Sequence, residues 1–178
     1  MSKRTVMVTG ATSGFGAAIA KALAQSGDYR LIITGRRKER LEKLVDQLPG
    51  DVFPLCFDVQ DRKQITAALE SLPIAWKAID VLINNAGLAL GLLPFDQGDE
   101  QEWETMMNTN VLGVAYMSRQ IVPGMIARGH GHIINISSIS GKDVYPSGYM
   151  YCASKHALQA LTKGMRIDLV GKGIKVTS

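Results

Sequence analysis

Tyr151 and Lys155 stand four residues apart, and Ser138 lies thirteen residues before the tyrosine. Four residues are about one helical turn, so a helix here sets the phenol and the ammonium on one face. A phenol ordinarily holds its proton up to a pKa of about 10. A neighbouring cation favours the phenolate and lowers that value, which gives a group able to donate and accept a proton near neutral pH. Ser138 closes a segment whose apolar run, His132 to Ile136, reads as a strand. Its hydroxyl is suited to hydrogen-bond a substrate carbonyl beside the tyrosine. With a hydride donor nearby, the trio makes a carbonyl-reduction site. Ser137 competes for the hydroxyl role, and alternation along a strand would send the two serines to opposite faces. Tyr145 and Tyr149 share this stretch, but only Tyr151 has a lysine four residues on.

The N-terminus offers a pocket for such a donor. Arg4 to Thr9 is a short β-type run, followed by Gly10, Ala11, Thr12, Ser13, Gly14, Phe15 and Gly16. A helical pattern from Ala17 to Ala24 then closes at Gly27. Strand, glycine-rich turn and helix form the setting in which a dinucleotide pyrophosphate meets a helix N-terminus. The spacing is G-x-x-x-G-x-G rather than G-x-G-x-x-G, and a plain strand-to-helix turn is the alternative. The second strand, Tyr29 to Thr34, leads into Gly35, Arg36 and Arg37, with no carboxylate until Glu39. An acidic residue here would bond the ribose 2′-hydroxyl of NAD, whereas arginine accommodates the 2′-phosphate of NADP. The expected cofactor is therefore NADP(H). The alternative is a solvated start to the next helix, Lys38 to Leu48.

These residues together resemble the short-chain dehydrogenase/reductase family, over essentially the whole chain. The family's T-G-x-x-x-G-x-G motif matches Thr9 to Gly16, and its N-N-A-G motif matches Asn84, Asn85, Ala86 and Gly87 after the apolar strand Val81 to Ile83. Its structural asparagine matches Asn110, and its S…Y-x-x-x-K site matches Ser138, Tyr151 and Lys155. The resemblance implies a doubly wound, Rossmann-like parallel sheet. It implies cofactor contacts from Gly10, Thr12, Ser13, Gly14, Phe15 and Gly16, and from Arg36 and Arg37. Asp58 and Val59, after the third strand (Val52 to Phe57), fit the adenine side, and the N-N-A-G residues, Tyr151 and Lys155 complete the set. It assigns proton transfer to Tyr151, support of that tyrosine and of the cofactor ribose to Lys155, and substrate contact to Ser138 and Tyr151. Asn110 is expected to hold a water that relays protons to the lysine.

The stretches TGRRKERL, INNAGLALG, WETMMNTN and GHIINI are similar to the NADP-dependent 3-hydroxy acid dehydrogenases, a subgroup that includes serine and allo-threonine dehydrogenases. The implied reaction transfers a hydride between NADP(H) and a small carbonyl or alcohol substrate. A 3-oxoacyl, steroid or sugar substrate stays open, as does a nucleotide-binding remnant without catalysis.

The 178 residues suit one domain, spanning 1–178. Alternating strand and helix patterns through six strands argue a parallel sheet with helices on both faces. The net charge of +4, from 20 basic and 16 acidic residues, is mild and spread along the chain, with no aromatic-interleaved basic stripe. No nucleic-acid partner is expected. No apolar run approaches the roughly 18 residues of a membrane span, and no signal peptide is read at Met1 to Arg4. Cys56 and Cys152, without ligand spacing, fit a reducing cytoplasm. His130, His132 and His156 have no carboxylate or cysteine partner at metal spacing, so no metal is assigned.

Two long helices are expected. Trp103, Met106, Met107, Asn110, Val114, Met117 and Ile121 repeat at helical steps across Glu100 to Arg128, with a bend or break at Pro123 and Gly124. Tyr151 to Val170 forms the other. In the family these helices pack against copies in a partner subunit, so a homodimer or homotetramer is expected. The chain stops at Ser178, where the family's sixth strand runs toward a substrate-covering loop and a seventh strand, and the expectation is a domain truncated after the sixth strand.

Overall fold

The computed structural model describes residues 3–178. Apolar β-formers build the strands: Val6, Met7 and Val8 in β1 (Arg4–Val8) and Leu31, Ile32 and Ile33 in β2 (Tyr29–Gly35) are all buried. β3 (Val52–Cys56), β4 (Ile79–Asn84), β5 (Gly131–Asn135) and β6 (Ile174–Thr177) complete the set. All pair in parallel in the order β3-β2-β1-β4-β5-β6. The expected doubly wound sheet is thus present. Its strand order reverses between β1 and β4, which opens a crevice beyond their carboxyl ends.

Buried strands expose both faces to packing, so neighbouring residues serve opposite layers. Val6, Val8, Leu31 and Ile33 pack with Ala20 and Ala24 of α1 (Gly14–Ser26) and Leu41 and Leu44 of α2 (Lys38–Val45). Met7, Ile32, Leu82 and Ile133 point the other way. They meet Ile65 of α3 (Arg62–Glu70) and Met117, Ile121 and Met125 further along the chain.

The segment Glu100–Arg128 departs from the expected form. It divides into α4 (Glu100–Met107), a π-helical turn (Asn108–Leu112) and α5 (Gly113–Arg128). The irregularity falls at Asn110, not at Pro123, and α5 runs unbroken through Pro123. Pro123 removes the donor that would bond the Arg119 carbonyl. Both residues are exposed, so the lost bond falls on the solvent side, where water can reach the carbonyl, and the helix continues. The other long helix is α6 (Tyr149–Leu169), which starts two residues before the expected boundary.

A buried polar chain ties these helices through the sheet. Asn84 Nδ2 donates to Asn135 Oδ1 at 2.9 Å and to Ser118 Oγ at 3.1 Å. Asn135 Nδ2 donates to Thr162 Oγ1 at 2.9 Å, and that hydroxyl donates to the Leu158 carbonyl at 2.8 Å. The chain links α5, β4, β5 and α6. Among the described residues no helix is long and apolar enough to cross a membrane.

Candidate active site

The glycine turn between β1 and α1 is shaped by contacts that side chains would block. Gly10 has φ +64°, and a Cβ on it would approach the Ala86 Cα to 2.8 Å. Gly16 packs so closely beneath the turn that a Cβ would collide with the Gly10 carbonyl and the Asn85 amide. The turn is held from both sides, by Ala11 N–H donating to the Thr34 carbonyl at 2.9 Å and Asn85 Nδ2 to the Thr9 carbonyl at 2.9 Å. Thr9 Oγ1 accepts from the backbone N–H groups of Asn85 and Ala86, each at 3.0 Å. One hydroxyl therefore joins the ends of β1 and β4 at the point where the strand order reverses.

α1 begins here with no side-chain cap from Ser13 and no acidic residue in its first turn. Its leading N–H groups and the positive end of its dipole suit an anion. The crevice above is a cavity of about 450 Å³. Gly10, Thr12, Ser13, Gly14 and Phe15 line one end. Arg36, Arg37, Asp58 and Val59 line the wall where β2 and β3 end, and Asn85, Ala86 and Gly87 the floor after β4. Tyr151 and Lys155 close the far end. Residues from five separate stretches of sequence thus meet in one cavity.

The two arginines are held by other elements. Arg36 Nη1 lies 3.4 Å from Asp58 Oδ2, and Arg37 Nη2 donates to Thr12 Oγ1 at 3.3 Å. Both remain exposed at the mouth of the cavity. Thr34 and Thr109 also line it, buried, with hydroxyl oxygens that have no hydrogen-bond partner. Buried unpaired hydroxyls are costly. These two residues carried no sequence signal, being single threonines brought to the cavity by β2 and by the π turn.

At the far end, Lys155 Nζ donates to the Ile136 carbonyl at 2.9 Å and lies 5.7 Å from the centre of the Tyr151 ring. Lys155 is only 6% exposed, and burial pushes its ammonium below the ordinary lysine range. Asn110 is buried behind this pair. Its Oδ1 accepts from Leu88 N–H at 2.9 Å, and its Nδ2 donates to the Leu88 carbonyl at 2.8 Å and to Ser154 Oγ at 3.0 Å. Both amide hydrogens are used. The side chain clamps α6 to the loop after β4.

Four expected residues sit away from the cavity lining: Gly16 beneath the turn, Asn110 in its clamp, Asn84 in the buried polar chain, and Ser138. β5 ends at Asn135, so strand alternation does not govern the two serines. Ser137 lines the cavity and accepts from Gln159 Nε2 at 3.0 Å. Ser138 caps a 3₁₀ turn (Ile139–Gly141). Its Oγ accepts from Ser140 N–H and donates to Ser140 Oγ, each at 3.1 Å. Nor is His130 without a carboxylate, since its Nδ1 lies 3.6 Å from Asp80 Oδ1. Among the described residues no cluster of His, Cys, Asp or Glu is arranged to hold a metal.

A smaller cavity, of about 30 Å³, adjoins the first and shares Ala89 and Tyr151 with it. Ser147, which lines it, has φ 59° and is the only described non-glycine residue in the left-handed region.

Comparison with known proteins agrees with this geometry. Residues 4–178 match the family model of the short chain dehydrogenases. The chain is 45% identical over 172 residues to the NADP-dependent 3-hydroxy acid dehydrogenase YdfG of Escherichia coli K12, covering 97% of this chain and 69% of that protein. It is 41% identical over 174 residues to the serine 3-dehydrogenase of Rhizobium radiobacter, covering 98% and 69%. Among solved structures, the closed form of a serine dehydrogenase complexed with NADP⁺ superposes with a TM-score of 0.94 at 45% identity, covering 97% of this chain and 69% of that one. The parallel sheet, the glycine turn at its crossover and a match along nearly the whole chain make this protein a member of the short chain dehydrogenase family.

Proposed function

We propose that this protein is an NADP(H)-dependent oxidoreductase that interconverts a small 3-hydroxy acid, serine or a close relative, with its 3-oxo form. One observation carries the reading. A single crevice holds a phosphate-suited turn and two arginines at one end and the Tyr151–Lys155 pair at the other. The relatives named as 3-hydroxy acid and serine dehydrogenases support the substrate class.

The residues present fit the dinucleotide. The uncapped start of α1 and the turn Gly10–Gly16 would hold the pyrophosphate, and Arg36 and Arg37 the 2′-phosphate. Asp58 and Val59 would flank the adenine. When bound, the nicotinamide supplies or accepts the hydride.

The chain's own residues do the rest. Tyr151 Oη donates a proton to the substrate oxygen in reduction and accepts it in oxidation. The Lys155 ammonium stabilises the negative charge left on Tyr151 once that proton has gone, and its bond to the Ile136 carbonyl fixes where that charge sits. A hydroxyl from the Ser137–Ser138 segment steadies the substrate oxygen. Ser138 takes this role by turning its Oγ away from Ser140. Asn110 positions the lysine's helix.

The test is NADP⁺ reduction with a panel of small 3-hydroxy acids, using NAD⁺ as the contrast and simple secondary alcohols as controls. Turnover of hydroxy acids with NADP⁺ well above NAD⁺ is expected. Alcohols outperforming every hydroxy acid would overturn the substrate class.

A further inference from the structure

The smaller cavity beside Tyr151 carries a feature that the hydride-transfer chemistry does not use. Glu102, in α4, faces into it and is half-buried. Its carboxylate lies directly against Gly91, so that a Cβ at that position would collide with Oε2. Gly91 has φ +64°, a conformation that favours glycine and leaves the carboxylate room beside the backbone. Glu102 has no hydrogen-bond or ion-pair partner among the described residues. The nearby Asp99 is occupied, accepting from Gln101 N–H at 2.8 Å as the cap of α4.

Apart from Asp99, Ser147 and three glycines, the rest of the lining is apolar or aromatic. Trp103 and Tyr149 form walls, with ring centres 5.8 Å apart in an edge-to-face pair, and Leu90 and Met106 line it too. A half-buried carboxylate gains most from a cation that can share its partly desolvated site, and aromatic faces favour the same charge. No lysine or arginine lines the cavity. Its volume of about 30 Å³ suits a group the size of an ammonium.

We infer that Glu102 is a specificity-determining residue. It receives the protonated amino group of a 2-amino-3-hydroxy acid whose hydroxyl carbon lies at Tyr151, and this rests on the function proposed above. The site selects by charge. A zwitterionic substrate gains the ion pair. A 3-hydroxy acid without the amine forgoes it and is favoured less.

The test compares L-serine with 3-hydroxypropionate, which differs from it only in lacking the amine, as substrates of the native protein and of Glu102→Gln with NADP⁺. Charge-assisted hydrogen bonds of this kind correspond to roughly 10- to 100-fold in kcat/KM. Glu102→Gln is expected to lower kcat/KM for serine by about that factor while leaving 3-hydroxypropionate unchanged or improved. Glu102→Asp should recover part of the serine preference, and NADP⁺ affinity should stay constant across the three proteins. An equal loss for both substrates, or no loss for serine, overturns the role of Glu102 and leaves the proposed reaction standing. If the native protein oxidises neither compound, the proposed reaction fails and this inference falls with it.

Discussion

Arg36 reaches from the end of β2 to Asp58 beyond β3, Nη1 to Oδ2 at 3.4 Å, and the pair faces the cavity from its rim. The arginine side chain is 60% exposed. An ion pair this exposed contributes about 0–1 kcal/mol to stability, so its consequence is positional. It holds a guanidinium where a phosphate can meet it. Arg37 is held in the same way by Thr12 of the glycine turn.

Replacing Arg36 and Arg37 together with alanine should therefore weaken NADPH binding by roughly 10- to 100-fold, the scale of lost charge-assisted hydrogen bonds. NADH affinity and the melting temperature should barely change. Titration with each cofactor, followed by nicotinamide fluorescence, reads this directly. Equal weakening of both cofactors would remove the 2′-phosphate from the account.

The inward position of Asn84 makes a different prediction. Asn135 is its partner across β4 and β5, so Asn135→Ala leaves a buried amide short of an acceptor. Unfolding free energy should fall by about 1–3 kcal/mol, measured by urea denaturation, while NADPH affinity of the folded protein is retained. Intact stability with lost cofactor binding would instead assign this pair to the cavity.

His132 supplies a pH dependence of stability. Its Nε2 lies 3.0 Å from Thr177 Oγ1, and burial, then the charge of Lys175, lower its pKa from 6.5. Lys3, Arg4, Asp80 and His130 share the same cleft, with Asp80 paired to His130. Between the folded value and 6.5 the unfolded chain binds the extra proton more readily. Stability is therefore lost as pH falls through that window and is fully present above it. His132→Gln should flatten the acid limb of a stability–pH curve. An unchanged limb would mean that another group sets it.

Much of this site was legible because its chemistry is local. A glycine turn, a pair of arginines after a strand and a tyrosine one helical turn from a lysine each sit within a few residues, and strand–helix alternation brings such segments to one edge of a parallel sheet. What escaped depends on packing between distant segments. Pro123 reads as a break, yet its lost bond falls on the solvent side, and the irregular turn forms at Asn108–Leu112, where Asn110 must face Leu88 and Ser154. Ser137 and Ser138 were separated by strand alternation, but the strand ends before them. Thr34 and Thr109 gain meaning only once the cavity exists.

The central claim is that Tyr151, set against the buried Lys155 cation, moves the proton. The direct measurement is steady-state oxidation of a 3-hydroxy acid with NADP⁺ by the native protein and by Tyr151→Phe, beside NADPH titration of both. The account predicts a loss in turnover of at least about 100-fold, the low end of general acid–base contributions, with NADPH affinity preserved within a few-fold. Turnover retained by the phenylalanine variant would contradict it.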